Sequence, residues 1–576
     1  MSRLMLGLIL LTQLAAQHAP AAEPKPDELA WIRDHAIVLK TAKPGRGLED
    51  LKPLKELIGD ARIVALGEGT HGTREFFQMK HRLVKFLASE MGFTIFSIEA
   101  SMPEAYRLND FVLEGKGDPK ELIGGMYFWT WNTQEVLDMV LWMREFNKSG
   151  KRKIEFTGFD MQTPDVAAQI VQDFVGKVDP KYAKVVAETY AAVKGTKGGR
   201  KFGVATAKFP KKAAAGKRIV YSGYIRTEQV TDGHAGLWWR VDGKSGVVGF
   251  DNMYDRGATG TADWKRYEIA LDVDPEVVKI NFGALLTGEG IAWFDGLQVE
   301  IGGRPYTDDT QFDLDFESGS ARGFRTGGEG YDVRVVSDQA YTGSQSLRMK
   351  CLTGQDDGGV DLKKVAEMCG GVVEHLEDSR RRYRKRASKK DIEWAIQNAT
   401  VVRQGLLRQT EEVSRDESMA ANVSWILRQA PKDAKIVLWA HNGHVSKSND
   451  GHGGRAMGAY LRKKYGDEMV VLGFACNTGR YTAVKRGQGL QANDLQAGEV
   501  GSAEYYFHQT GLPRFILDLR KASDKVPASA WLTRSIDFRS IGALAMEEQF
   551  SATKLSKAFD AVIYFDKTTP SVLLER

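Results

Sequence analysis

Seven short runs, at 62–67, 93–99, 153–160, 435–441, 468–476, 515–519 and 561–565, carry the strand signal of this chain, and several are apolar on nearly every residue. Strands read this way when both faces of their sheet are covered, because no solvent face is left to mark with polar residues. Between them lie longer stretches, such as 73–89 and 132–146, whose apolar residues recur every three or four positions. That is the period of a helix with one buried face. Their alternation predicts an α/β fold, a mostly parallel sheet sandwiched by helices. The pattern occupies 24–195, stops, and resumes over 358–576.

The interruption at 196–355 has a different texture. Glycine is dense, and aromatic residues alternate with polar ones in Gly236-Leu-Trp-Trp-Arg-Val241, Trp264-Lys-Arg-Tyr-Glu-Ile269 and Ile291-Ala-Trp-Phe-Asp-Gly296. Short strands parted by turn residues predict an inserted antiparallel β-sandwich. The segment resembles jelly-roll carbohydrate-binding modules, and the resemblance implies a glycan partner. The runs 312–317 and 341–348 read as the opening strands of such a module, yet they follow its closing strands at 291–301. A circularly permuted insertion accounts for that order, since the two ends of a sandwich lie close together; two incomplete modules are the alternative. Trp238, Trp239, Trp264 and Trp293 are either sugar platforms or core residues, and the alternation around Trp293 predicts burial.

With 576 residues, the chain exceeds what a single core serves, which agrees with one domain carrying an insertion. Residues 1–22 begin Met1-Ser-Arg3, continue through an apolar run and end in small residues. This is the form of a cleavable secretory signal, so a secreted or periplasmic protein is expected. No later stretch is long and apolar enough for stable membrane insertion. Only three cysteines, Cys351, Cys369 and Cys476, are present and none forms a C-x-x-C pair, which excludes a disulfide framework while leaving a single Cys351–Cys369 bridge open. The net charge of +5 is small, and the basic run at 380–386 has acidic neighbours. It reads as a solvated helix face, not a nucleic-acid footprint.

The residues able to do chemistry fall at strand ends. Glu68 and His71 follow the first run, Glu99 ends the second, Asp160 ends the third, and His441 and His444 follow the fourth. Ligands bind beyond the carboxyl ends of strands in open parallel sheets, so these six groups are expected to converge. A histidine takes a proton from water near neutral pH, and a neighbouring carboxylate fixes its tautomer and raises its basicity. His71 is therefore the expected base, oriented by Glu68 or Glu99. His441 or His444 would position the water or stabilise developing negative charge. Taken singly, a strand-end glutamate is often a helix cap and a spaced histidine pair is often structural. No G-x-S-x-G elbow, complete phosphate loop or H-E-x-x-H occurs, so no cofactor or metal is expected, although clustered His, Glu and Asp keep a metal-dependent hydrolase open.

Through Val64-Ala-Leu-Gly-Glu-Gly-Thr-His71, Glu75-Phe-Phe77, Gly92-Phe93, Phe159-Asp160, Asp416-Glu-Ser-Met-Ala-Ala-Asn-Val-Ser-Trp425, Ala440-His-Asn-Gly-His444, Met457-Gly458, Gly501-Ser-Ala-Glu504 and Ala558-Phe-Asp-Ala-Val-Ile563, the chain resembles the erythromycin esterase family. The resemblance implies hydrolysis of a macrolide lactone or another small-molecule ester by histidine-activated water, with no covalent intermediate. It places the base on His71, its acidic partner on Glu68 and further site residues on Glu99, His441 and His444. A basic residue of the family site, usually arginine, falls on Lys80, which lacks the planar fork of a guanidinium. Arg74 and Arg82 are candidates to compensate, and Arg74, Lys80 and Asp160 are the expected substrate-binding residues. The insertion and the expected export both depart from the intracellular resistance esterases of this type, which turns the expectation away from antibiotic defence. An exported glycan-binding protein is the alternative reading.

Overall fold

The structure is a computed structural model that describes residues 23–574 apart from 46, 151, 197–201, 244–245, 255, 308–310, 353–361, 411, 449–453 and 486–487. The segment at 1–22 expected to be a secretory signal and the insertion boundaries at 355 and 358 lie outside the described residues.

One nine-stranded sheet draws on both ends of the chain. Its order is Ala36–Val38, Arg514–Asp518, Ala561–Thr568, Met469–Lys485, Ile63–Leu66, Ile436–Trp439, Ile95–Ser101 and Glu155–Asp160, with Gly489–Leu495 paired outside this path to Met469–Lys485. From Ala561–Thr568 to Glu155–Asp160 every neighbouring pair is parallel. Successive side chains alternate between two buried layers. Ile63, Ala65, Ile436 and Leu438 enter one core, whereas Val64, Leu66, Val437 and Trp439 enter the other. Double coverage is why these strands lack polar alternation.

All seven expected strands are present, with shifted ends. Met469–Lys485 runs well past its apolar half, and its polar end is paired by Gly489–Leu495. Ala36–Val38 was hidden by its length of three residues. The expected helices are found at Arg74–Met91 and Gln134–Ser149. No helix among the described residues is long and apolar enough to cross a membrane. No disulfide joins Cys351, Cys369 and Cys476, so the Cys351–Cys369 bridge left open by the sequence is not formed.

A second sheet of ten strands, paired antiparallel throughout, is built from Phe202–Lys208 to Ser346–Cys351. Its axis is the 26-residue strand Arg218–Gly243. The first half of this strand pairs with Ala258–Asp272 and Glu289–Ile301, and the second half with Lys279–Thr287 and Gly246–Asp251. The exchange of partners falls where Gln229 and Asp232 adopt positive φ and the register slips. Such breaks bend a strand and redirect its pairing. Trp239 and Phe282 are fully buried inside the bend, and Trp293 is buried with its indole N–H donated to Asp338. The run 312–317 is not a strand: Leu314 accepts one backbone bond from Leu297, Phe316 has φ of 61°, and Phe312 and Phe316 plug the core. Its alternation reflected two buried anchors, not sheet pairing.

Candidate active site

Four adjacent strands, Ile63–Leu66, Ile436–Trp439, Ile95–Ser101 and Glu155–Asp160, deliver their ends to one edge of the large sheet. The turn after the first strand is held tightly. Gly72 lies so close to the neighbouring strand that a Cβ would sit 1.8 Å from the carbonyl oxygen of Thr482, and Gly72 O accepts the amides of Thr482 and Ser571. Only glycine permits that approach. The amide of Asn442 donates to Glu68 O at 2.9 Å, which ties the turn to the histidine-bearing segment.

Glu68 is fully buried and engaged by three donors. Its Oε1 lies 2.6 Å from His71 Nδ1; its Oε2 accepts from Lys80 Nζ at 2.6 Å and from Trp439 Nε1 at 2.8 Å. With Nδ1 directed at Glu68, the tautomer is fixed and Nε2 is left as the basic nitrogen. His71 Nε2 makes no bond to protein among the described residues, and the ring keeps 12% of its surface. The His441 ring stands 5.1 Å away, centroid to centroid, and Trp131 6.2 Å away.

A second cluster lies beside the first. Glu99 accepts Arg415 Nη2 at 2.7 Å and the His441 amide at 3.0 Å. The same guanidinium forks onto Asp160, with Nη2 to Oδ2 at 2.7 Å and Nε to Oδ1 at 3.2 Å. His444 Nδ1 meets Asp416 Oδ1 at 2.9 Å, while its Nε2 lies 3.0 Å from Arg415 Nη1 and 3.5 Å from Glu99 Oε1. Burial alone would push the Glu99 carboxyl up, but the positive charge of His444, Arg415 and His71 holds it well below the usual carboxylate range. Burial likewise pushes His444 down and is outweighed by Glu99 and Asp416, so its pKa is raised. A raised value implies an Nε2–H aimed at Glu99, whereas the 3.0 Å contact from Arg415 suits the neutral ring. The short Arg415 contact is the bonding of the neutral ring, and the carboxylates of Glu99 and Asp416 supply the field that favours its protonation.

The six expected strand-end groups thus converge, but with unequal freedom. His441 caps the helix Asn442–Val445: its Nδ1 accepts from the Gly443 amide at 3.1 Å and its Nε2 donates to Ile541 O at 3.2 Å. Both ring nitrogens are committed in this conformation. Lys80 is fully buried behind Glu68, 4.4 Å from the Trp439 ring centre, and burial pushes its pKa down to about 8 against the pull of Glu68. It faces Glu68 and has no exposed surface to offer a substrate. Arg74 is drawn aside to Glu135, with Nε 3.3 Å from Oε1, and its amide donates to Thr569 O. Arg82 forks onto Asp50 and bonds Thr41 O, so neither arginine replaces the missing guanidinium. The cation that contacts the carboxylates of the second cluster is Arg415, which sequence reasoning passed over although it adjoins the motif beginning at Asp416. Its signal was a lone arginine at the first position of the helix Arg415–Gln429 after a Ser414 cap, where an anion is the usual choice. Among the described residues no group of three or more His, Cys, Asp and Glu is placed to hold a metal ion.

The sequence profile of erythromycin esterases matches residues 88–220 and 336–568. The chain belongs to the erythromycin esterase family. Glu99, Asp160, Arg415, His441 and His444 lie within the matched residues, and Glu68, His71 and Lys80 precede them. An erythromycin esterase type II of Escherichia coli is 34% identical over 170 residues, 28% of this chain and 40% of that protein. A putative hydrolase, YbfO, of Bacillus subtilis strain 168 is 29% identical over 160 residues, 28% of this chain and 35% of that protein. The chain thus spans well under half the length of these curated relatives. Among solved structures, a Bacillus cereus protein superposes with a TM-score of 0.61 at 21% identity, covering 96% of this chain and 100% of its own. A histidine-to-asparagine mutant of the erythromycin esterase EreC, in its open conformation, gives 0.52 at 13% identity, covering 94% of this chain and 99% of its own. These likenesses establish the erythromycin esterase fold.

Proposed function

We propose that this member of the erythromycin esterase family is an exported hydrolase that cleaves a carboxylic ester or lactone with water activated by His71. The observation that carries the reading is the Glu68–His71 contact of 2.6 Å, which leaves Nε2 as the ring nitrogen with no bond to protein among the described residues. In this mechanism Nε2 takes a proton from water while the water oxygen bonds to the acyl carbon and the carbonyl π pair moves onto oxygen. Collapse of the tetrahedral intermediate breaks the bond to the alkoxy oxygen, which recovers the proton from Nε2. Ester and water become acid and alcohol, and no bond to the protein is formed.

The charges suit that sequence. The imidazolium formed in the first step is in contact with the Glu68 carboxylate and lies near the ionised Glu99. Arg415 keeps Glu99 ionised and supplies the positive charge of the second cluster. His71→Ala removes the base, and turnover of an activated aryl ester is expected to fall about 10²- to 10⁴-fold while circular dichroism stays unchanged. An equal rate in the variant would sink the assignment of the base.

Residues 24–195 and 358–576 are proposed as one catalytic domain, and 196–355 as an inserted jelly-roll-like module that binds a glycan on the substrate or near it. Support comes from Tyr224 and Tyr341, stacked with centroids 3.6 Å apart, with Trp264 6.0 Å from Tyr341, beside a cavity of about 850 Å³. Aromatic faces with adjacent polar groups suit sugar rings. Macrolides carry both a cyclic ester and sugars, so they are one substrate class to test.

A further inference from the structure

A cleft of about 880 Å³ separates the inserted sheet from the rim of the large sheet. One wall is the turn at 272–275, which follows the inserted strand Ala258–Asp272. The other carries Trp129, Asn132, Val484, Leu490, Leu573 and Leu574. This second wall is built from segments anchored next to His71 on three sides. Trp129 and Asn132 share a turn with Trp131, whose ring stands edge-on to His71. Val484 lies two residues beyond Thr482, whose amide donates to Gly72 O. Leu573 and Leu574 lie just beyond Ser571, which donates to the same oxygen, and Leu574 N in turn bonds Asn132 O.

The lining of the cleft is mixed, with Asn132, Gln488 and Gln491 among its polar groups, and an apolar patch adjoins it. Leu573 in the wall, Val572 next to it in sequence and Leu544 are exposed large hydrophobic side chains, and Leu544 bridges directly to Val484. Exposed apolar groups gathered around one opening mark a binding surface more often than chance. A cleft whose wall is tied to the turn that carries the base, with an apolar patch beside it, suits the body of a substrate whose reacting carbon sits at that base.

We propose that the bulky apolar part of the ester substrate occupies this cleft, so that the inserted sheet, through its 272–275 turn, forms a specificity wall of the active site. The inference rests on the esterase reading and adds to it a substrate class, esters with a large apolar acyl or alcohol group, and a role for the insertion that does not depend on a glycan.

The test compares kcat/KM for p-nitrophenyl acetate and p-nitrophenyl octanoate in the full chain, in Leu573→Asp and in Pro275→Trp. Neither position belongs to the catalytic clusters, and the two lie on opposite walls. Each buried methylene is worth roughly a fourfold gain, so two of the six extra ones suffice for about tenfold. The full chain should prefer octanoate by about tenfold or more, and each variant should lose that preference while acetate turnover stays within about twofold. An unchanged octanoate-to-acetate ratio in both variants overturns the inference. Calorimetric binding of the unreactive p-nitrophenyl octyl ether separates the two claims. If the full chain hydrolyses neither ester yet the variants bind the ether about tenfold more weakly, the cleft stands and the esterase reading falls. If hydrolysis is absent and ether binding is equal in all three proteins, both fall.

Discussion

Replacing Arg415 by methionine tests how the second cluster is held together. The guanidinium lies 2.7 Å from both Glu99 and Asp160 and keeps 21% of its surface, while the two carboxylates keep 6% and none. Removing one partner of a buried ion pair costs about 3–5 kcal/mol, because the remaining charge is left without compensation. Here two carboxylates lose their shared cation. His444, whose pKa is raised, remains 3.5 Å from Glu99 and offers partial relief to that group alone. The loss at neutral pH should therefore reach the upper part of the range, about 4–5 kcal/mol. The pH dependence gives the sharper test. In the native protein Glu99 is held below its ordinary value of 4.5, so its contribution is fully present above that value and is lost as pH falls through the lowered one. In the variant burial is opposed by His444, His71 and the His441 amide but no longer by Arg415, so the Glu99 carboxyl pKa rises and the gap to the native protein narrows as pH falls toward it. The gap between native and variant should shrink by about 1–2 kcal/mol from about pH 7.5 to about pH 5.5. Urea unfolding followed by helical circular dichroism reads it, since the long helices belong to the large sheet's layers. A gap below about 1 kcal/mol, or one that stays flat across this range, would refute the reasoning.

Two further perturbations address buried charge elsewhere. Lys80→Met strips Glu68 of a fully buried partner at 2.6 Å and should lower stability by about 3–5 kcal/mol near neutral pH; a change below about 1 kcal/mol in the same unfolding experiment would show that the ammonium is not the counterion of Glu68. Glu504 is pushed up to about 7 by burial, with Oε1 accepting the Arg539 amide and Oε2 unpartnered. Its folded pKa exceeds the unfolded one, so its favourable contribution is present below about 4.5 and is lost as pH rises through about 7. Glu504→Gln abolishes that loss: the variant should gain on the native protein by about 1.4 kcal/mol per pH unit between about pH 4.5 and about pH 7 and keep a level lead above that, and a parallel pair of stability–pH curves would disprove it.

How much of this was legible without coordinates depended on whether the information was local. Ile63–Leu66 and Ile436–Trp439 announce themselves because a doubly covered strand must be apolar at every position, and both meet that demand within four residues. Ala36–Val38 and the polar half of Met469–Lys485 do not, because each is stabilised by a partner distant in sequence and not by its own composition. The run 312–317 misled for the opposite reason. Phe312 and Phe316 are both anchors of one core, yet the chain between them turns and never pairs.

At the site, residue types could be read and partners could not. Glu68, His71, Glu99, Asp160, His441 and His444 sit where strand ends place them, but which nitrogen faces which oxygen is settled by side chains that arrive from elsewhere in the chain. Lys80 shows the consequence. Read by position it stands for a substrate-binding arginine, but a lysine has no fork with which to hold an anion and a protein group at once. With Trp439 Nε1 already on Oε2 of Glu68, the remaining demand there is for one compact positive charge, which an ammonium meets at 2.6 Å. The forked geometry is used instead by Arg415, where one planar group must bridge Glu99 and Asp160 on adjacent strands. The two clusters therefore divide the work between two cations of different shape: the lysine serves the carboxylate that steadies the base, and the arginine bridges a neighbouring pair of carboxylates without moving them apart. Exchanging the two residue types would leave the formal charge of the site untouched and still disable both clusters, because each position is selected by geometry and not by sign.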